Sequence, residues 1–379
     1  MLQRLEFQKS AGEGRSGAKT ALVLQGGGAL GAYQGGVFEA LQKTGVEIDW
    51  VAGISIGAIN AALIAGNHPE NRLAALHKFW QKITSNVVWP APEFGDNARQ
   101  VFNRMSSFSS MGAGQPGFFK PRVPPPYLRA HGAPGAASFY DTSELRQTLL
   151  ELVDFDLINS GKTRLSVGAV NVRTGNFIYF DSAHREITPE HIMASGALPP
   201  GFPAVEIDGE CYWDGGLVSN TPLMHVLEDD GEEDMLVFQV DLFSSRGGLP
   251  GDLFEVENRR KQIGFSSRTR LNTDHFQQTH TLKKAIAELY RALPPESRQD
   301  PRLKELSELG QSHSVSIIHL IYRPRRYELH SSDYEFSRAS MQEHWQSGRN
   351  DTQRTLHDPD WATSPDPQVG VRVFDLNFA

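Results

Sequence analysis

An α/β fold with a mainly parallel sheet between two helical layers is what this sequence predicts, and three observations carry it. Short apolar runs at residues 21–24 and 48–52 are each followed by a glycine-marked turn and then by helix formers, at 33–41 and 58–65. Strands alternating with helices in this way need crossover connections, which make neighbouring strands parallel. The stretches 20–38 and 50–69 also carry no Asp, Glu, Lys or Arg, as strand–helix units buried on both faces do.

The remaining elements follow in order. Leu73, Leu76, Phe79, Trp80 and Ile83 recur at helical spacing, so a helix is expected over 70–83. Residues 87–137 gather Pro121, Pro124, Pro125, Pro126 and Pro134 with glycines and aromatics, and predict an insertion (about 85–140) without long regular elements. It reads either as a lid or substrate wall or as a plain surface excursion. Asp141-Thr142-Ser143-Glu144 starts a helix to Val153 with an acidic cap. Strands at 165–172 and 176–181 pair around Thr174-Gly175, and Thr188-Pro189-Glu190 opens another helix. A hairpin joins 205–207 to 211–213 through Asp208-Gly209, and 235–240 is a further buried strand. Beyond Asp241 come long polar helices over 253–269 and 274–293, a strand at 314–322 and a helix over 334–346. The final stretch, with Pro359, Pro365 and Pro367, is expected to be irregular. The division expected is a loose tail (1–18), an α/β domain (19–243) and a mainly helical accessory segment (244–379).

Composition narrows the function classes. The 379 residues are 39% hydrophobic and 22% charged, which suits a globular protein. A net charge of −8 argues against nucleic-acid binding, and Arg259-Arg260-Lys261 reads as a solvated helix face. Cys211 stands alone, so no disulfide forms within the chain; it reads as a small core residue in a reducing compartment. No apolar leader block opens the chain, which points to a cytoplasmic protein. No metal-ligand motif is present and no cofactor is expected.

Chemistry concentrates at three places. Gly53-Ile54-Ser55-Ile56-Gly57 sits between a strand and a helix, so Ser55 is held at a sharp turn as a candidate nucleophile. The glycines allow the turn and the close approach of strand to helix, and the helix N-terminus favours developing negative charge. Gly26-Gly27-Gly28-Ala29-Leu30-Gly31 follows the first strand and offers backbone N–H groups, with Gly26, Gly27 and Gly28 the candidate oxyanion donors. The same run satisfies G-x-G-x-x-G with Asp49 downstream, so dinucleotide binding is the rival. Against it, Asp49 precedes its strand's apolar core, and that strand ends on Ser55. Asp214-Gly215-Gly216 ends a strand and presents an acid on a tight turn, where an ordinary β-turn is the competing reading. The histidines His68, His77, His131, His191, His225 and His319 are scattered, and none sits in a distinctive turn.

Taken in order, the glycine loop, the G-x-S-x-G turn and the D-G-G acid resemble the patatin-like phospholipases. Ala194-Ser195-Gly196-Ala197-Leu198-Pro199-Pro200, Phe202-Pro203 and Asn220-Thr221-Pro222 resemble the family too, over about residues 20–242. The C-terminal segment is similar to that of a bacterial subgroup. The resemblance implies a three-layer α/β/α fold and a Ser-Asp dyad, with Ser55 the nucleophile and Asp214 the proton acceptor. It implies Gly31, Gly53, Gly57, Gly215 and Gly216 as supporting positions and a lipid or other acyl ester as substrate, with peripheral membrane contact open. Leu30 stands where the family commonly carries Arg or Lys. The alternatives are an α/β-hydrolase esterase with a Ser-His-Asp triad, and a lipid- or partner-binding protein without turnover.

Overall fold

The computed structural model describes residues 18–92, 95–229, 233–266, 269–310, 314–328, 331–357, 361 and 371–374; the tail expected over 1–18 falls outside them but for Ala18. The first half runs β1 (Lys19–Leu24), α1 (Ala32–Thr44), β2 (Trp50–Gly53), α2 (Ile56–Ala65), α3 (Pro69–Ile83) and α4 (Asp96–Ala113). Then come β3 (Lys120–Pro121), β4 (Tyr140–Asp141), α5 (Ser143–Leu152), α6 (Phe155–Asn159), β5 (Arg164–Asn171), β6 (Phe177–Asp181) and α7 (Pro189–Ser195). The second half holds β7 (Val205–Ile207), β8 (Glu210–Asp214), α8 (Leu223–Leu227), β9 (Met235–Asp241), α9 (Leu253–Phe265) and α10 (Thr269–Ala292). It closes with α11 (Pro301–Leu309), β10 (Val315–Ile321), α12 (Arg338–His357) and β11 (Val371–Phe374).

Nine strands form one sheet in the order β11-β10-β9-β1-β2-β5-β8-β7, with β6 also paired to β5. From β11 to β5 every pairing is parallel, and the β5–β6, β5–β8 and β7–β8 pairings are antiparallel. Because successive strand side chains point to opposite faces, each strand feeds two cores. Ala21, Val23, Trp50, Ala52, Val237 and Ile317 face α8 and Phe276 of α10. Leu22, Leu24, Val51, Phe238 and Ile318 face the layer built by α1, α2, α3 and α12. The fold is therefore a three-layer α/β/α with a mainly parallel sheet, as expected.

Five local expectations need correction. The 87–137 stretch does contain a long element, the 18-residue α4, because its prolines crowd beyond residue 120 and leave 96–113 free to coil. Val371–Phe374, expected to be irregular, is β11, paired with Val315–Ile318 of β10. Cys211 is exposed, not core: it pairs across the β7–β8 hairpin with Glu206, and both point to solvent. Thr142, not an acid, occupies the cap position of α5, while the Asp141 carboxylate accepts the Ser143 N–H at 2.8 Å. The last long helix also starts later than expected, at Arg338, and runs on to His357.

The C-terminal segment is mostly helix by length, yet it lays two strands into the same sheet and packs α12 onto α1. That helix pair meets at glycines. A Cβ on Gly36 would lie 1.9 Å from the Trp345 carbonyl oxygen and 2.9 Å from Arg349 N, so backbone meets backbone with no side chain able to yield. Gly36→Ala is therefore expected to destabilise the protein by about 3 kcal/mol or more, through separation of the helices. A urea-unfolding midpoint unchanged from wild type would refute this packing.

Candidate active site

Strand register brings the three motifs together. Leu24 of β1 is level with Gly53 of β2, so the glycine loop and the serine turn leave the sheet side by side. Gly53 is in turn level with Val167 of β5, and Ala169, two residues on, is paired with Asp214 of β8. Ser55, two residues beyond Gly53, thus stands at the level of Asp214. A Cβ on Gly26 would come within 3.1 Å of Ser55 Cβ, which fixes how closely loop and serine approach.

Ser55 has φ 55° and ψ −124°, a left-handed conformation that a residue with a side chain rarely adopts. Such a geometry typically stores about 1–3 kcal/mol of strain and persists only where its surroundings hold it. Two features hold it. The Ser55 N–H donates to the carbonyl and to the hydroxyl oxygen of Ser195, both at 3.1 Å. Behind it, α2 presses so tightly on β1 that a Cβ on Gly57 would lie 2.3 Å from the Leu24 carbonyl oxygen. The 10-residue α2 therefore begins immediately after Ser55, with its positive dipole end at the site.

The glycine loop is clasped from the opposite side. Gly26 donates its N–H to the Asn220 carbonyl at 3.1 Å, and Asn220 Nδ2 donates back to the Gly26 carbonyl at 2.9 Å. Buried Gln25 braces the loop base, accepting the N–H groups of Leu242 and Phe243 and donating to the Thr221 hydroxyl. This narrows the expected set of donors, because the Gly26 N–H is already engaged. The Gly27 and Gly28 N–H groups, at the start of the single turn Gly28–Gly31, have no hydrogen-bond acceptor among the described residues. Gly28 has φ 55°, and a Cβ there would sit 2.0 Å from the Asp333 carbonyl oxygen. Gly31 closes the turn against Ile56, and Leu30 is buried in the core, away from the pocket wall.

Asp214 is buried at the end of β8. Burial pushes its carboxyl up to about 7, an effect partly offset by the Gly216 N–H, which donates to Oδ1 at 2.7 Å, and by the Ser55 side chain. Its own N–H donates to the Ala197 carbonyl at 3.1 Å. A single short stretch, Ser195 to Ala197, thus anchors the backbone of both Ser55 and Asp214. Gly215 lies against the Gly168 backbone and Gly216 against Asn220, which sets the tight turn after the acid.

The glycine loop, Ser55 and Asp214 open onto one pocket of about 330 Å³. Gly26, Gly27, Gly28, Ser55, Asp214, Gly216 and Asn220 make its polar floor. Its walls are apolar: beside Ile56 and Ile59 of α2, they come from three further parts of the chain. Met111, Phe118, Phe119 and Tyr140 belong to the proline-rich insertion, Leu198 to Phe202 to the loop after α7, and Phe243, Phe265, Tyr334 and Phe336 to the chain beyond β9. The rings interlock, with centroid separations of 5.9 Å for Phe118–Phe336 and 5.3 Å for Phe119–Phe202. The insertion therefore forms part of the pocket wall. Sequence reading missed the wall beyond residue 243; the aromatics there carry no local signal, because their partners lie far away in sequence.

No histidine lines this pocket among the described residues. His225 pairs with Asp181 at 3.1 Å and stacks on Tyr179, with ring centroids 3.9 Å apart. His191 lies in the capping box of α7, and His77 stacks on Trp345. His319 is buried on the sheet, and burial pulls its imidazole down to about 4.

A strand–turn–helix serine, a glycine loop and a buried acid thus stand together around one apolar pocket of an α/β fold. The model of the patatin-like phospholipase family matches residues 22–227, more than half of the chain, and a second model, described as patatin phospholipase, matches residues 263–368. The chain belongs to the patatin-like phospholipase family. It is similar to human patatin-like phospholipase domain-containing protein 6, with 40% identity over 75 residues, 20% of this chain and 6% of that protein. It is also similar to the lysophospholipase nte1 of Aspergillus terreus, with 53% identity over 49 residues, 13% of this chain and 3% of that protein. The chain thus matches only a small part of the length of these relatives. Among solved structures, VipD of Legionella pneumophila aligns at 15% identity and a TM-score of 0.39, over 90% of this chain and 67% of that one. The human GIVD cytosolic phospholipase A2 aligns at 12% identity and the same TM-score of 0.39, over 95% and 63%. No described helix is long and apolar enough to cross a membrane.

Proposed function

We propose that this protein is a serine lipid acyl hydrolase, of phospholipase A or esterase type, working through a dyad of Ser55 and Asp214. The observation that carries the reading is a buried carboxyl beside a strained serine, in a pocket lined by no histidine among the described residues. In the ionised form Asp214 can only accept a hydrogen bond, which suits it to take the hydroxyl proton. As that proton moves to Asp214, Ser55 Oγ bonds to the ester carbonyl carbon, and the oxyanion forms against the Gly27 and Gly28 N–H groups. Collapse breaks the bond to the alcohol, which leaves with the proton from Asp214. Water then attacks the acyl-enzyme and gives its proton to Asp214, and Ser55 departs with it.

The triad alternative would need a histidine to replace Asp214 as base. His225, the one histidine near the acid's part of the chain, is held instead by Asp181 and Tyr179. The dyad sets an acid limb whose origin the His225 variant tests. Burial places Asp214 near 7, and only its ionised form accepts a proton, so activity is present above that pH and lost below it. The expected kcat/KM for a water-soluble ester is half-maximal near pH 7 and falls about tenfold per unit on the acid side. Recording the profile for wild type and His225→Ala tests the reading. Loss of the acid limb in His225→Ala would sink the dyad.

A further inference from the structure

α4 is inside out. Its buried residues are Arg99, Phe102, Asn103, Ser106, Ser107 and Ser110, a face that is polar but for one ring. Its exposed residues include Val101, Met105, Phe108 and Met111, which are 56%, 64%, 69% and 38% exposed. Positions 101, 105, 108 and 111 recur at helical spacing and share one face, where an ordinary surface helix would present its charges. Between 101 and 113 the exposed residues include one basic side chain, Arg104, and no acid.

The inward polar face is bonded across the fold. Arg99 donates to Ser340 and pairs with Glu343, each at 3.0 Å, and Ser106 donates to Glu335. Gln115 donates to the Ser110 hydroxyl at 2.7 Å. The bonds of Arg99 and Ser106 to Ser340, Glu343 and Glu335 hold the helix in this orientation, and rotating it to hide the apolar face would break them. The outward face runs directly into the pocket mouth. Met111 belongs both to that face and to the pocket wall, and its carbonyl accepts the Tyr140 hydroxyl at 3.0 Å. Beyond Tyr140 lie Phe139, 47% exposed and bonded through its N–H to the Pro200 carbonyl, and pocket-lining Leu198, 37% exposed.

We infer that the outer face of α4, with Phe139 and Leu198, is the surface by which the protein docks on a lipid layer, setting the pocket mouth against the acyl chains. The inference rests on the reading of the pocket as an acyl-lipid site. A lipid layer fits better than a second protein, because the apolar face is continuous with the mouth through which an acyl chain must pass. An amphipathic helix lying in the interface binds through its buried apolar area. With a net charge of −8 the protein gains nothing from an anionic surface, so binding is expected on uncharged vesicles and is insensitive to salt.

The test uses the full chain carrying Ser55→Ala, so that no turnover perturbs the lipid, and vesicles of phosphatidylcholine in a flotation assay. The protein is expected to float with the vesicles at low and high salt. Adding Met105→Glu and Phe108→Glu should lower the bound fraction about tenfold or more, and the milder Phe108→Ser should lower it less. With Ser55 restored, the double variant should hydrolyse a water-soluble short-chain ester at the wild-type rate while losing activity on the vesicles. Failure of the parent to float, or flotation unchanged by the double variant, would overturn the proposal. So would a dimer in sedimentation that the double variant converts to monomer, because a second copy would then cover this face. Loss of soluble-ester hydrolysis in the protein with Ser55 intact would instead refute the catalytic reading, leaving the flotation result to stand separately.

Discussion

Asp214→Asn is expected to stop ester hydrolysis and, in the same molecule, to raise stability. The amide cannot accept the hydroxyl proton, so kcat/KM should fall about 10⁴-fold, the scale of losing a general base. The stability effect has the opposite sign because the site holds its carboxyl near 7, far above the ordinary aspartate value of 3.8. Between those two values the folded protein keeps a proton that the unfolded chain has lost, so stability falls as pH rises through that window. Above about 7 the full penalty is present, at most about 4 kcal/mol from the size of the shift. Asparagine escapes it and can still accept the Gly216 N–H, which reaches Oδ1 at 2.7 Å. The urea midpoint of Asp214→Asn should therefore exceed that of wild type clearly at pH 8 and hardly at all near pH 4. A lower midpoint at pH 8 would mean that the carboxylate is well solvated, and retained activity would remove Asp214 from the mechanism.

Ser55 carries the second large effect, and two substitutions separate its chemistry from its strain. Ser55→Ala and Ser55→Gly should both lose about 10⁵-fold or more in kcat and all labelling by an organophosphonate, since each removes the nucleophile. Their stabilities should differ. Alanine keeps the Cβ that makes φ 55° unfavourable, whereas glycine relieves it and should stabilise by about 1 kcal/mol relative to alanine. Equal thermal midpoints for the two variants would show that the turn is unstrained. Phosphonate labelling of Ser55→Ala at the wild-type rate would put the reactive group elsewhere.

Local physics made much of this legible before any coordinates. The β1–α1–β2–α2 unit, the β5–β6 pair and the β7–β8 hairpin each announce themselves within about ten residues, through apolar runs and turn chemistry such as Asp208-Gly209, where both φ values are positive. Ser55, Gly26 to Gly28 and Asp214 were legible for the same reason, since each sits at a strand end marked by glycine. What escaped depends on partners distant in the chain. β11 is four residues long and becomes a strand only because β10 offers its edge. The engagement of the Gly26 N–H depends on a turn nearly 200 residues away. α4 escapes as well, because prolines on both sides of it argue against a helix in a segment that contains none between 96 and 113. Its reversed polarity could not be anticipated, because helical periodicity reports that a face is apolar and not which way that face points.

The contact between Gly28 and Asp333 has a consequence for how the molecule can vary. A main-chain oxygen, not a side chain, covers the glycine loop at this point. A carbonyl is present whatever residue occupies position 333, so the cover itself is indifferent to mutation there, and only the ion pair with Lys261 is surrendered. Position 28 has no such latitude, since any side chain would meet that oxygen while also facing a disfavoured φ. Side chains such as Tyr334 and Phe336 can therefore change the pocket wall while the main-chain cover over Gly28 stays in place. Pocket lining and loop geometry are, in this sense, separately heritable within one chain.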